Sequence, residues 1–171
     1  MIPRPLLLTC SHALVAALGF ALGIYLLPIL VAPADPPAAE VSAALDSAEY
    51  TGTFQRKLPG SDAFHWAQGR VGVSPTQITF DGKMAPGPDY KIYLTKTFVD
   101  TPEAFERIKH EAVRVGEVRS FNRFVAPLAP SVDINDFTTV VVWCERFSRF
   151  ISATQYRPPG GRMTGPGAEH G

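Results

Sequence analysis

One side chain in this sequence has a clear capacity for redox or nucleophilic chemistry, the thiol of Cys144. It closes the run Thr138 to Trp143, with Glu145, Arg146 and Arg149 close behind. A thiol so placed can serve as a thiolate nucleophile, a redox group or a ligand, and neighbouring guanidinium groups favour its ionised form. Glu145 opposes that effect. The competing reading is a buried cysteine that packs as a small hydrophobe. The chain holds two cysteines, and the other, Cys10, lies in an apolar N-terminal run. No intramolecular disulfide framework is therefore expected.

His65 is the next candidate, as a partner of Cys144 in holding an iron or other metal. Two ligands far apart, with no CxxC, HxxxH or CxxCH spacing, do not define a metal site, and none is expected. Haem remains compatible with the chain through Cys144 or His65, because axial ligands are assembled by tertiary structure. The alternative for His65 is an ordinary hydrogen-bonded ring between Phe64 and Trp66. Asp89 follows Gly87-Pro88, where an aspartate commonly folds onto its own backbone to fix a turn. Asp133, Asp136 and Glu145 are possible carboxylate mates for it, and spacing selects none. The stretch from Asp133 to Asp136 reads as a turn or capped short helix, without the glycine and distal glutamate of a calcium loop. Trp66 and Trp143 read as core, their N–H groups in need of partners. There is no nucleophile elbow and no phosphate-binding glycine loop.

These residues need a scaffold, and strand periodicity provides it. Thr138 to Trp143 is almost wholly β-branched or aromatic, as in a strand buried on both faces. Alternation puts Val140, Val142 and Cys144 on one face and Thr139, Val141 and Trp143 on the other. Glu145 and Arg146 turn the chain, and Phe147 to Tyr156 returns as a hairpin partner, leaving Cys144 at the rim. Earlier strands are expected at Tyr50–Gln55, Phe64–Val73, Gln77–Phe80 and Tyr90–Leu94. Gly69 and Gly72 signal a bulge or close backbone approach, and Asp81-Gly82 suits a turn. Thr101-Pro102-Glu103 has the makings of a helix start, followed by strands at Ala112–Val118 and Phe121–Val125. Short strands about ten residues apart, punctuated by Gly and Pro, predict an all-β domain, a small antiparallel sandwich or barrel.

The 171 residues divide into four expected segments. Residues 1–34 form a signal anchor or transmembrane helix, 35–48 a Pro/Ala-rich linker, 49–157 the β domain and 158–171 a disordered Pro/Gly tail. Ala13 to Ala32 runs for about 20 residues without a charge, the length of a membrane span and longer than a cleaved signal core. Ala32-Pro33-Ala34 keeps cleavage open as the alternative. Arg4 before the span, with Asp35 and Glu40 after it, favours a single-pass chain with the domain on the extracytoplasmic side. Equal numbers of basic and acidic residues, 16 each, exclude the basic character expected of a nucleic-acid binder.

His65 with Gly69, the Gly87-Pro88-Asp89-Tyr90 entrance to YKIYL, Val115-Gly116 before Phe121, and the TTVVVWCERF hairpin occur in that order. Together they resemble the DM-thirteen domain family over roughly Tyr50 to Tyr156. That resemblance implies a small all-β domain with one signature cysteine, matched here by Cys144, and a role in electron transfer, either as a bare thiol or with a prosthetic group such as haem. It implies a redox component working with an unidentified redox or envelope protein partner rather than a self-contained enzyme. The rival reading is a non-catalytic binding or adhesion module in which Cys144 is structural.

Overall fold

The computed structural model describes residues 3–159. Helix α1 (Arg4–Val31) has 28 residues and is therefore about 42 Å long. It is long and apolar enough to cross a membrane, a test that a signal sequence near an N-terminus passes too. Almost none of it is buried against the rest of the chain.

The segment expected as a Pro/Ala-rich linker holds helix α2 (Ala38–Asp46). Val41 and Leu45, one helical turn apart, are fully buried on the sheet below. Gly72 makes the contact possible: a Cβ there would stand 3.1 Å from Leu45 Cδ2 and 3.0 Å from the Ala48 methyl. Alanine-rich composition is as good for a helix as for a linker, and two well-placed apolar residues decide between them.

The domain contains strands β1 (Tyr50–Phe54), β2 (Ala67–Ser74), β3 (Gln77–Met84) and β4 (Tyr90–Thr95). After helix α3 (Pro102–Ile108) come β5 (Val113–Glu117), β6 (Arg123–Pro127), a 3-10 turn (Ile134–Asp136), β7 (Thr139–Cys144) and β8 (Arg149–Gln155). They form two antiparallel four-stranded sheets, ordered β1-β2-β3-β6 and β5-β4-β7-β8. The expected all-β architecture is thus a sandwich preceded by an apolar helix. The Pro/Gly tail expected from residue 158 falls, from residue 160 onward, outside the described residues.

The sheets close on each other through Val71, Val73, Ile78 and Phe80 on one side and Ile92, Leu94, Val140 and Val142 on the other. A second cluster, Tyr93, Phe105, Val141, Trp143 and Phe150, fills the outer face of the second sheet beneath α3. That is why all six residues of β7 are buried, as its composition predicts. Each large side chain buried this way contributes about 1.5–3 kcal/mol relative to exposure.

One local expectation is corrected. Asp81-Gly82 does not turn: it lies inside β3, where Asp81 pairs with Arg70 of β2 and Arg123 of β6. Ladder bonds on both sides satisfy its backbone and override the turn preference. Of the bulge or close backbone approach expected at Gly69 and Gly72, the close approach holds: β2 and β3 pair in unbroken register, and a Cβ on Gly69 would stand 2.3 Å from the Asp81 carbonyl oxygen. The expected helix start holds, with the Thr101 hydroxyl accepting from Ala104 N–H at 3.2 Å. The short acidic stretch is likewise a capped turn, Asp133 accepting from Asn135 N–H at 2.9 Å.

Candidate functional site

Cys144 is the last residue of β7, opposite Tyr90 of β4 and Arg149 of β8. A bulge just before it, between Val142 and Trp143, shifts the register with β8. The thiol stands on the inner face with Val140 and Val142, as alternation requires, but it is only 1% exposed. The rim position expected from sequence is covered by the turn after β7 and by the loop leading into β4, tied together by Glu145 N–H donating to Asp89 C=O at 3.0 Å. Burial pushes the Cys144 thiol above its ordinary pKa, while hydrogen bonds with the backbone of Phe147, Arg146 and Asp89 pull the other way. The expected activation by the guanidinium groups of Arg146 and Arg149 is absent. Both side chains are exposed, where water screens their charge.

Cys144, Tyr90 and His65 line one largely apolar cavity of about 550 Å³. Phe64, Pro88 and Phe147 complete the domain side, and Leu18, Leu22 and Tyr25 of α1 form the outer wall. Tyr90 is 2% exposed, and its hydroxyl has no hydrogen-bond partner among the described residues. Desolvation, followed by the nearby Cys144, pushes the phenol well above its usual range. Its ring is held edge-on to Phe121, with centroids 6.0 Å apart, and Gly87 packs against its other side.

His65 is fixed by Asp62. Its Nδ1 lies 2.8 Å from Asp62 Oδ2, and Asp62 Oδ1 also accepts from the N–H groups of Phe64 and His65 at 2.7 and 2.8 Å. Desolvation works to raise the Asp62 carboxyl, but the His65 ring and the Phe64 N–H outweigh it and hold it below its usual value. An ionised carboxylate only accepts, so Nδ1 is the ring nitrogen that carries the hydrogen toward Asp62. This is the arrangement found behind metal-bound histidines, and it fits His65 as an axial haem ligand. Cys144 fits less well, because the metal itself would have to drive off a proton that burial retains. Among the described residues, no three His, Cys, Asp or Glu side chains cluster as a metal site.

The remaining candidates have structural partners. Asp89 does not fold onto its own backbone; its carboxylate pairs with Lys91 at 2.8 Å, and Lys91 also reaches Glu117 at 2.9 Å. Glu145 accepts from the Tyr93 hydroxyl and pairs with Lys109 at 2.6 Å. Desolvation alone would raise its carboxyl, and the bonds from Lys109 and Tyr93 reverse that. Neither carboxylate forms an acid–base pair with the other. Trp143 is core, with its Nε1–H unpartnered and the Lys109 ammonium 5.4 Å from its ring centroid. Trp66, expected in the core, is half-buried beneath the Arg56 guanidinium, 3.6 Å from its ring centroid.

Sequence reasoning did not single out Asp62, and it placed Tyr90 only as the first residue of a strand. The Asp-x-x-His spacing of Asp62 and His65 was a usable signal. The orphan hydroxyl of Tyr90 had none, since it depends on what surrounds the ring.

A family described as electron transfer DM13 matches residues 57–156, more than half of the chain and nearly all of the sandwich. No curated protein matches the chain. No solved structure matches it either. With its order of strands, its hairpin cysteine and this match, the chain belongs to the electron transfer DM13 family.

Proposed function

We propose that this chain is a single-pass, membrane-anchored redox protein, its domain extracytoplasmic and its electron-transfer chemistry centred on Cys144. Family membership supports a general redox-related role. The observation that carries the residue-level reading is the shared cavity, whose largely apolar wall includes a thiol, a phenol and a carboxylate-backed imidazole. A buried neutral thiol is shielded from the oxidants of an extracytoplasmic compartment. When it gives up an electron to a partner's one-electron acceptor, its proton must leave as well, and His65 Nε2 is the base in the same cavity. Arg4 at the start of α1 and acidic residues after it support the domain lying outside. The partner is a redox or envelope protein, and the chain is one component of the transfer rather than a self-contained enzyme.

The test is the visible and redox behaviour of the purified full chain, beside Cys144→Ala and His65→Ala. A thiol-centred couple lost only in Cys144→Ala supports the proposal. A Soret band lost in His65→Ala adds haem, with His65 as its ligand. A folded protein with neither signal overturns the redox reading. The second reading, a binding module with a structural cysteine, is favoured by the near-complete burial of Cys144. Thiol labelling no faster than global unfolding selects it.

A further inference from the structure

Strand register gathers one end of the sandwich from both sheets. Ala67 of β2 opposes Met84 of β3, while Tyr90 of β4 opposes Cys144, which in turn opposes Arg149. The chain between β5 and β6 closes that end, Val118 N–H donating to Tyr90 C=O at 3.0 Å and Met84 N–H to Phe121 C=O at 2.8 Å. The join to α1 is clamped here. Asp35 Oδ2 accepts from Asn122 Nδ2 at 2.9 Å and lies 3.8 Å from Arg123 Nη2. Pro36 C=O accepts from Arg123 Nε at 3.1 Å. Val31, the last residue of α1, is four residues before Asp35, a reach of about 14 Å at full extension. This end is therefore held close to wherever α1 leaves the lipid.

The loops at this end are both apolar and basic. Phe64 and Phe147 are 68% and 45% exposed, with Pro86 and Pro88 beside them. Arg146 and Arg149 flank Phe147 in the turn after β7, and all three are exposed. The neighbouring carboxylates are engaged within the domain: Asp62 by His65, Asp89 and Glu117 by Lys91, and Glu145 by Lys109. Arg146 and Arg149 have no ion-pair partner among the described residues. Two unpaired guanidinium groups around an exposed phenylalanine complement an anionic lipid surface, the ring seated at the acyl boundary and the charges among the headgroups.

We propose that this end of the sandwich docks on the bilayer that holds α1, through Phe147 and Phe64 at the interface and through Arg146 and Arg149 on acidic headgroups. The inference rests on the anchored reading of α1. The structure lays Phe20, Leu27 and Val31 of α1 beside Phe147, and no hydrogen bond or ion pair joins that helix to the sandwich among the described residues. A helix crossing the bilayer leaves this face at Ala32-Pro33-Ala34, and lipid replaces it as the apolar cover. The tether makes docking an intramolecular event, so a few contacts suffice where the free domain would bind weakly.

The experiment uses the full chain in nanodiscs of phosphatidylserine and a phosphatidylcholine brominated on its acyl chains, which quench tryptophan on contact. Phe147→Trp is compared with Phe98→Trp, 39% exposed on the loop beyond the opposite end of β4. Trp66 and Trp143 give both the same background. Quenching above that of the parent chain is expected for Phe147→Trp and not for Phe98→Trp. Adding Arg146→Glu and Arg149→Glu to Phe147→Trp is expected to reduce its quenching severalfold. Quenching of Phe147→Trp no greater than that of Phe98→Trp, or unchanged by the two charge reversals, overturns the proposal. Alkaline carbonate extraction separates the two readings. Release of the chain from membranes defeats the anchor and leaves α1 as the cover of this face, whereas retention without quenching defeats the docking alone.

Discussion

A Cβ on Gly87 would stand 2.4 Å from the Tyr90 hydroxyl oxygen and 2.3 Å from its ring. Three residues apart in the chain, the two are packed so closely that only glycine fits, and the Gly-Pro-Asp-Tyr entrance to β4 acquires a physical meaning. The glycine lets the loop lie flat against the phenol and leaves its hydroxyl at the cavity. Gly87→Ala is expected to destabilise the domain by about 1–3 kcal/mol through overpacking and to tilt Tyr90 out of position. Chemical denaturation measures the first effect, and the near-ultraviolet circular dichroism of the variant measures the second.

Tyr90→Phe is expected to move stability the other way. It removes a hydroxyl that has no partner among the described residues while keeping the ring, 2% exposed, in place, a gain of up to about 1 kcal/mol. A clear loss of stability would mean that the hydroxyl has a partner in solution.

Cys144→Ala is expected to cost about 1 kcal/mol as a small cavity in a packed core. Its pH dependence is more telling. The thiol's pKa is raised by folding above its ordinary value of 9.0, so the unfolded chain loses this proton first as pH rises. The neutral, buried thiol therefore contributes its full stability below about pH 9 and loses it progressively as the pH climbs through the folded value. Urea midpoints measured from pH 7 upward should fall on this alkaline limb, and the fall should begin later in Cys144→Ala.

Glu145 governs the opposite limb. Its carboxyl is held below its ordinary value of 4.5 by Lys109 and Tyr93 against the effect of burial. Its contribution is present above that pH and lost as acid protonates it. Glu145→Gln is expected to lower stability near neutral pH by about 1–2 kcal/mol and to flatten the decline below pH 4.5. Lys109→Met should reproduce most of the flattening if the ion pair is its cause.

Arg123→Ala removes both side-chain bonds that clamp Asp35 and Pro36 to β6. Limited proteolysis between Ala32 and Pro37 should become several-fold faster, while the unfolding midpoint of the sandwich changes by less than about 1 kcal/mol in stability. Unchanged cleavage would mean that the join is held by other contacts.

Composition and alternation were enough to establish the all-β class, the doubly buried β7, the face on which Cys144 stands and the apolar reach of α1. These follow from local rules, since a run of β-branched residues with period two has one low-energy outcome whatever surrounds it. The resemblance carried by the Gly-Pro-Asp-Tyr strand and the cysteine hairpin was legible for the same reason, because it is written in contiguous residues. Tertiary structure alone decided the rest. It closed loops over Cys144 and so raised a thiol that nearby arginines might have been expected to activate. It carried the Asp81-Gly82 dipeptide into a ladder, folded the linker onto Gly72 through Val41 and Leu45, and left the Tyr90 hydroxyl without a partner. Each of these depends on desolvation or on contacts between residues distant in the chain, and no reading of neighbours along the sequence contains that information.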